Sequence, residues 1–166
     1  MMKIVVVSDN HGNKNHLIDI ISMHPDADQC IHLGDSEFQF HDSVLKPFIK
    51  VGGNCDFDMN YPKEAVIETP FGQCFFTHGH FYSVNRNRDN LAQKAIEKNC
   101  NIALYGHTHI MNVELIDGVW CINPGSISQS RDHNEETYAI LTLEQNAKVT
   151  YYNQNHIKVE EISLEI

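Results

Sequence analysis

Residues 102–110 read IALYGHTHI. A short apolar run bounded by a glycine predicts a strand buried on both faces. This one stops at two histidines, His107 and His109, one residue apart. A single imidazole there can serve packing. Two of them behind a glycine point to a ligand held just beyond the strand. Open α/β sheets gather ligands outside the carboxyl ends of their strands. If that reading holds, other strands must end in the same place with the rest of the grip.

They do so along the chain. KIVVVSD (3–9) is a continuous β-branched run, a strand that delivers Asp9 and, two residues on, His11. CIHLGD (30–35) is a second strand and ends at Asp35. FIKVGG (48–53) is a third and leads to Asn54. EAVIETP (64–70) and GQCFFTHG (72–79) form a hairpin turning at Pro70-Phe71-Gly72, and its second arm ends at His78 and His80. Residues 13–24 carry Leu17, Ile20 and Ile21 at helical spacing after an Asn cap. Residues 38–46 predict a short helix ending before Pro47. Residues 88–100 predict another, with Leu91, Ala95 and Ile96 on one face and Asp89 near its start. Beyond residue 110 the runs MNVELID, VWCINPG, ETYAILTLE, KVTYYNQ and KVEEISLE all read as strands. Alternating strands and helices followed by strands alone favour an α/β fold of two packed sheets with helices outside.

Composition narrows the function. The 166 residues suit one domain, and the chain is expected to be a single domain over 1–166 with no cap. Hydrophobic residues make up 42% and charged residues 20%, an ordinary globular balance. No apolar run approaches the ~20 residues of a membrane span. The N-terminal run meets Asp9 at once and lacks a signal-peptide cleavage site. Five widely spaced cysteines without a C-x-x-C fit a reducing cytoplasm. A net charge of -10 argues against an extended nucleic-acid face or an anionic membrane. It leaves room for a small anionic substrate, because bound metal reverses the sign locally.

Leaving His80 aside, five strand ends thus offer two carboxylates, one amide and four imidazoles. Carboxylate oxygen with neutral imidazole suits Mn, Fe, Co, Ni or Zn. Without thiolates a closed structural zinc site is not indicated. Seven donors exceed what one ion with an open position takes, and they suit two ions sharing a carboxylate. Two divalent cations against two carboxylates leave about +2 for a phosphate ester.

The pieces DNH (9–11), GD (34–35), GN (53–54), HGH (78–80) and GHTH (106–109) resemble, in order and spacing, the calcineurin-like metallophosphoesterases, and in particular their small bacterial and archaeal phosphodiesterase branch. INPGS (122–126) resembles that branch too. The resemblance implies a four-layer α/β/β/α sandwich of two mixed sheets. It implies that Asp9, His11 and His109 hold one divalent ion, manganese foremost. Asn54, His78 and His107 hold a second, and Asp35 bridges them. The implied reaction is hydrolysis of a small phosphate ester by a hydroxide shared between the ions.

The chain departs from many relatives at Cys55, where they carry a histidine that protonates the leaving group. In the branch it resembles, cysteine here goes with diester more than monoester hydrolysis. His80 becomes the nearest candidate for the leaving group's proton. The scaffold subunit of retromer shares the family fold without ordinary phosphatase activity, so a non-catalytic, partner-binding module is the alternative. Ser126, Ser128, Ser130 and Arg131 form a polar loop that could border the site. Arg86 and Arg88 fit an exposed helix start, with steering of a phosphate as the alternative, and Phe38, Phe40, Phe57 and Tyr61 fit core or rim packing, with the lining of a pocket as the alternative. His16, His24, His32, His41, His133 and His156 match no ligand spacing. Extra C-terminal strands offer an edge for a homodimer.

Overall fold

A computed structural model of the chain describes residues 1–131 and 135–165, so His133 lies outside the described residues. The β-branched N-terminal run forms β1 (Met2–Val7), which pairs in parallel with β2 (Gln29–His32), itself parallel to β3 (Ile49–Lys50). Helix α1 (Lys14–Met23) crosses between the first two, capped by Asn13, whose side chain accepts the Asn15 N–H. The hairpin is β4 (Glu64–Thr69) and β5 (Gly72–Thr77). Helix α2 (Asp89–Glu97) leads into β6 (Cys100–Leu104). The remaining strands are β7 (Asn112–Ile116), β8 (Val119–Asn123), β9 (Thr137–Leu143), β10 (Lys148–Asn153) and β11 (Lys158–Ser163).

They form two mixed sheets, ordered β11-β10-β9-β1-β2-β3 and β4-β5-β6-β8-β7. The expected sandwich is present, and its layers can be read from the alternation of side chains along each strand. Ile4 and Val6 pack with Cys74, Phe76, Ile102 and Leu104 between the sheets. The alternate residues Val5 and Val7 pack with Leu17 and Ile20 of α1. On the second sheet, Phe75 and Ala103 pack with Leu91, Ala92 and Ala95 of α2. Both faces of the central strands are therefore apolar, which is why their sequences are unbroken hydrophobic runs.

The helix expected over 38–46 is not formed. Only Ser43–Leu45 makes a single 3-10 turn, capped by the Asp42 side chain. Asp42 has extended backbone, with ψ at 136°, through which a helix cannot run, and the Phe38 and Phe40 N–H groups go instead to Ser36 Oγ (3.2 Å) and Asp58 Oδ2 (2.9 Å).

Candidate metal centre

The parallel strands β1, β2, β3, β5 and β6 end on one side, and the turns beyond them bring all seven expected donors together. In one group, Asp9 Oδ1 lies 3.2 Å from His109 Nε2 and 3.6 Å from His11 Nε2, and the two Nε2 atoms are 3.1 Å apart. In the other, Asn54 Oδ1 lies 3.1 Å from His78 Nε2 and 3.0 Å from His107 Nδ1. Asp35 Oδ2 stands between the groups, 3.2 Å from His78 Nε2 and 3.9 Å from His11 Nε2. Asp9, His11, Asp35 and Asn54 follow strands of the larger sheet; His78, His107 and His109 follow strands of the smaller one.

These positions demand unusual backbone. Asp9, His11, Asp35, His107 and His109 all have φ between 43° and 70°. Asp and His tolerate that left-handed region better than most residues, at a cost of about 1 kcal/mol or more each. Two glycines admit the close approach. A Cβ on Gly106 would stand 2.2 Å from Ser8 Oγ and 2.8 Å from Asp9 Oδ2, and one on Gly53 would stand 2.1 Å from Asp35 Oδ1.

The donor set fits cations. His78 Nδ1 lies 2.7 Å from the Leu33 carbonyl, and His109 Nδ1 lies 2.7 Å from that of Gln129. His11 Nδ1 lies 3.1 Å from Glu37 Oε2. Each Nδ1 therefore carries a proton and donates it, and each Nε2 turns inward, free to meet a cation or a second proton. Two such nitrogens 3.1 Å apart, beside Asp9 Oδ1, repel unless a cation or a shared proton lies among them. Asp9 Oδ1 is buried and has no hydrogen-bond partner among the described residues. Ligand atoms bound at about 2.1 Å and at right angles stand about 3.0 Å apart, the spacing seen here. The clusters Asp9–His11–His109 and Asp35–His78–His107 could each hold a metal ion.

The electrostatics agree. Burial opposes ionisation of Asp9, but His109 and His11 outweigh it and hold its carboxyl well below the usual range. Asp35 is lowered in the same way, with His78 overcoming burial. Burial pulls His78 down, yet Asp35 and Asp9 raise it to about 8. The centre thus keeps two carboxylates ionised in a dry place and competes with protons for its cation.

Several neighbours were not foreseen as part of the site. Asp56 carries no ligand atom, but its carboxylate accepts the N–H groups of Asp35 (2.7 Å), Gly53 (2.8 Å) and Glu37 (2.8 Å). Asn123 donates to the Gly106 carbonyl (3.1 Å) and Thr108 Oγ1 (3.0 Å), fixing the two-histidine turn. The polar loop does border the site. Ser126 Oγ donates to the Asp9 carbonyl at 2.8 Å, and Arg131 Nη1 reaches the His107 carbonyl at 3.5 Å.

Most other singled-out residues lie apart, Cys55 and His80 excepted. Arg88 pairs with Glu114. Tyr61 OH lies 2.9 Å from both Ser36 Oγ and the Phe38 carbonyl. His24 and His156 share the Tyr138 hydroxyl, and His32 is buried on Asn10. Phe57, expected to pack, is 89% exposed. Cys55 lies beside Asp35 and His11, and His80 stands next to His78 with ring centroids 5.4 Å apart.

Comparison with known proteins agrees with this geometry. The calcineurin-like phosphoesterase superfamily domain matches residues 2–146. A probable metallophosphoesterase of Bacillus subtilis, YsnB, is 35% identical over 163 residues, covering 97% of this chain and 96% of its own. A phosphodiesterase of Methanocaldococcus jannaschii is 30% identical over 148 residues, covering 75% of this chain and 83% of that one. A predicted phosphoesterase of Streptococcus pneumoniae has a solved structure that superposes with a TM-score of 0.91 at 31% identity, covering 98% of each chain.

Proposed function

The chain belongs to the calcineurin-like phosphoesterase superfamily, and from that premise we propose that it is a phosphodiesterase working with two divalent ions, manganese foremost. The observation that carries the reading is the place of Asp35. Its Oδ2 lies within 4 Å of a donor nitrogen in each cluster, so one carboxylate serves both. Asp9, His11 and His109 would hold one ion and Asn54, His78 and His107 the other. When bound, such a pair supplies an activated water and a clamp for the charge of the transferring phosphoryl group.

The chain's own groups do the rest. Asn54 is a neutral donor, so it leaves the positive field of the centre unquenched by a third carboxylate. The Nδ1–H groups of His11, His78 and His109, held on Glu37, Leu33 and Gln129, keep each ring in the tautomer that binds. The Cys55 thiol is pushed up to about 11, first by burial and then by the charge of Asp35. It stays protonated at neutral pH and takes no part as a base or charge carrier. His80 is held neutral by burial and by His78, and its Nδ1 is buried without a partner. We assign it to hydrogen-bond the leaving oxygen. A neutral imidazole gives that oxygen modest help, which accords with diesters whose leaving groups need little protonation. We place the reaction in the one domain that the described residues form, and in a reducing compartment. All five cysteines are free, and among the described residues no helix is long and apolar enough to cross a membrane.

The test is hydrolysis by metal-stripped protein reloaded with Mn, Ni, Zn or Mg. Reloading should restore activity, with bis-p-nitrophenyl phosphate cleaved faster than p-nitrophenyl phosphate. Asp9→Ala should abolish turnover and lower the bound metal measured by elemental analysis. A monoester preference would overturn the diesterase reading. A fully loaded protein that hydrolyses neither ester would leave the metal-binding scaffold in its place.

A further inference from the structure

The segment between Gly52 and Lys63 puts apolar side chains into water while its backbone is tightly held. Phe57 is 89% exposed and Met59 98%, and across the chain Phe81 is 60% exposed. Yet the Cys55 N–H donates to Asp35 Oδ1 at 2.8 Å, and the Gly52 N–H to the Pro62 carbonyl at 2.9 Å. Asp58 accepts the Phe40 and Asn60 N–H groups, and Asp56 closes its own turn through Gly53. Scattered exposed apolar residues need no explanation. Three of them lining one cleft on a braced loop, together with Asn54 and His80, do.

We propose that this cleft seats a flat, ring-bearing substituent of the phosphate ester, an aryl group or nucleobase, against Phe57 and Phe81. The proposal rests on the phosphodiesterase reading and names its substrate class. The cleft is continuous with the chemistry, because Asn54 belongs to the metal centre and His80 is assigned to the leaving oxygen. Its volume of about 370 Å³ lies at the small end of ligand sites, enough for one such group and too little for a macromolecular segment. Phe81 is already ordered as a platform: its ring lies 4.0 Å from that of His80, centroid to centroid, and Lys63 Nζ stands 5.2 Å from its centroid. A second cleft, of about 510 Å³, shares Asp56, Phe57 and Asp58 with it but takes in Glu37 where the first takes in Lys63 and His80, so the cationic side chain lies on the first cleft's side.

Calorimetric titration of the manganese-loaded protein tests it without turnover. Adenosine 5′-monophosphate and phenyl phosphate carry the ring on a sugar or directly on the ester oxygen, and ribose 5-phosphate carries none. At least one ring-bearing ligand should bind about 10-fold tighter than ribose 5-phosphate, as stacking on one aromatic side chain allows. Phe57→Ala and Phe57→Leu should erase most of that advantage and leave ribose 5-phosphate unchanged, because leucine keeps apolar area but no ring. Phe81→Ala should act alike, and Phe81→Tyr should retain the advantage. Equal affinities in the wild type, or Phe57 variants that weaken all three ligands equally, overturn the proposal. So does a wild-type dimer in sedimentation that Phe57→Ala dissolves, which makes the patch an interface between copies. Ring-dependent binding by a protein that hydrolyses no ester supports the cleft and sinks the phosphodiesterase reading alone. Diester hydrolysis with no ring preference does the reverse.

Discussion

The backbone N–H of Asp35 donates to Oδ2 of Asp56 at 2.7 Å, and the same oxygen accepts the Gly53 N–H at 2.8 Å. Asp35 is the carboxylate common to both donor clusters, and its φ of 56° is a conformation that surrounding bonds must enforce. The other oxygen of Asp56 takes the Glu37 N–H, and Glu37 in turn orients His11. Asp56→Ala should lower metal affinity about 10- to 100-fold, the usual cost of losing an outer partner of a ligand. It should also cost about 2 kcal/mol of stability from unsatisfied N–H groups. Calorimetric manganese titration and urea unfolding measure the two effects.

Gly106 has no room for a methyl group. Its Cβ would press on Ser8 Oγ and Asp9 Oδ2, both buried just beyond β1. Gly106→Ala should displace Asp9 or the two-histidine turn. The expected result is a fall in kcat of at least about 100-fold, because positional errors near 1 Å cost that much. A variant with full metal content and near-normal kcat would show that the turn adjusts.

Cys55 stands where a proton donor could act, with a thiol that stays neutral at pH 7. Cys55→His should raise p-nitrophenyl phosphate hydrolysis relative to bis-p-nitrophenyl phosphate, by about 10-fold in the ratio of kcat/KM. An unchanged ratio would place ester preference elsewhere in the site.

His32 supplies a pH dependence of stability. It is fully buried, and its ring nitrogens contact Asn10 Oδ1 (2.7 Å) and the Gly34 N–H (3.0 Å), so its neutral form is the satisfied one. Burial depresses its pKa to about 4. The unfolded chain binds that proton near pH 6.5, so stability is full above 6.5 and is lost as pH falls toward 4. The loss is about 3 kcal/mol for this group. Urea midpoints between pH 4 and 7 should fall steeply for the wild type and less so for His32→Gln.

The donor residues were legible because each ends a strand and because carboxylates and imidazoles rarely cluster without cause. Asp56 was not, since the groups it holds are backbone N–H donors of residues up to 21 positions away, which leave no pattern in side-chain identity. The segment 38–46 misled for a related reason: the extended backbone at Asp42 breaks it, and the Asp42 side chain starts only a single 3-10 turn beyond. Two layers of sheet could be read from the run of late strands. That β8 inserts between β6 and β7, and that β9 returns beside β1, depends on long-range pairing to which local sequence is blind. Phe57 and Met59 both face water, and only the three-dimensional bracing of their loop turns them outward.

Each donor cluster draws on both sheets: Asp9 and His11 meet His109, and Asn54 meets His78 and His107. An ion seated there works as a rivet through two plates that otherwise touch mainly through greasy side chains, which resist separation far more than sliding. Loading therefore inspects the assembled sandwich. A molecule whose halves have docked out of line offers half a socket and stays empty, so metal content doubles as a certificate of correct folding.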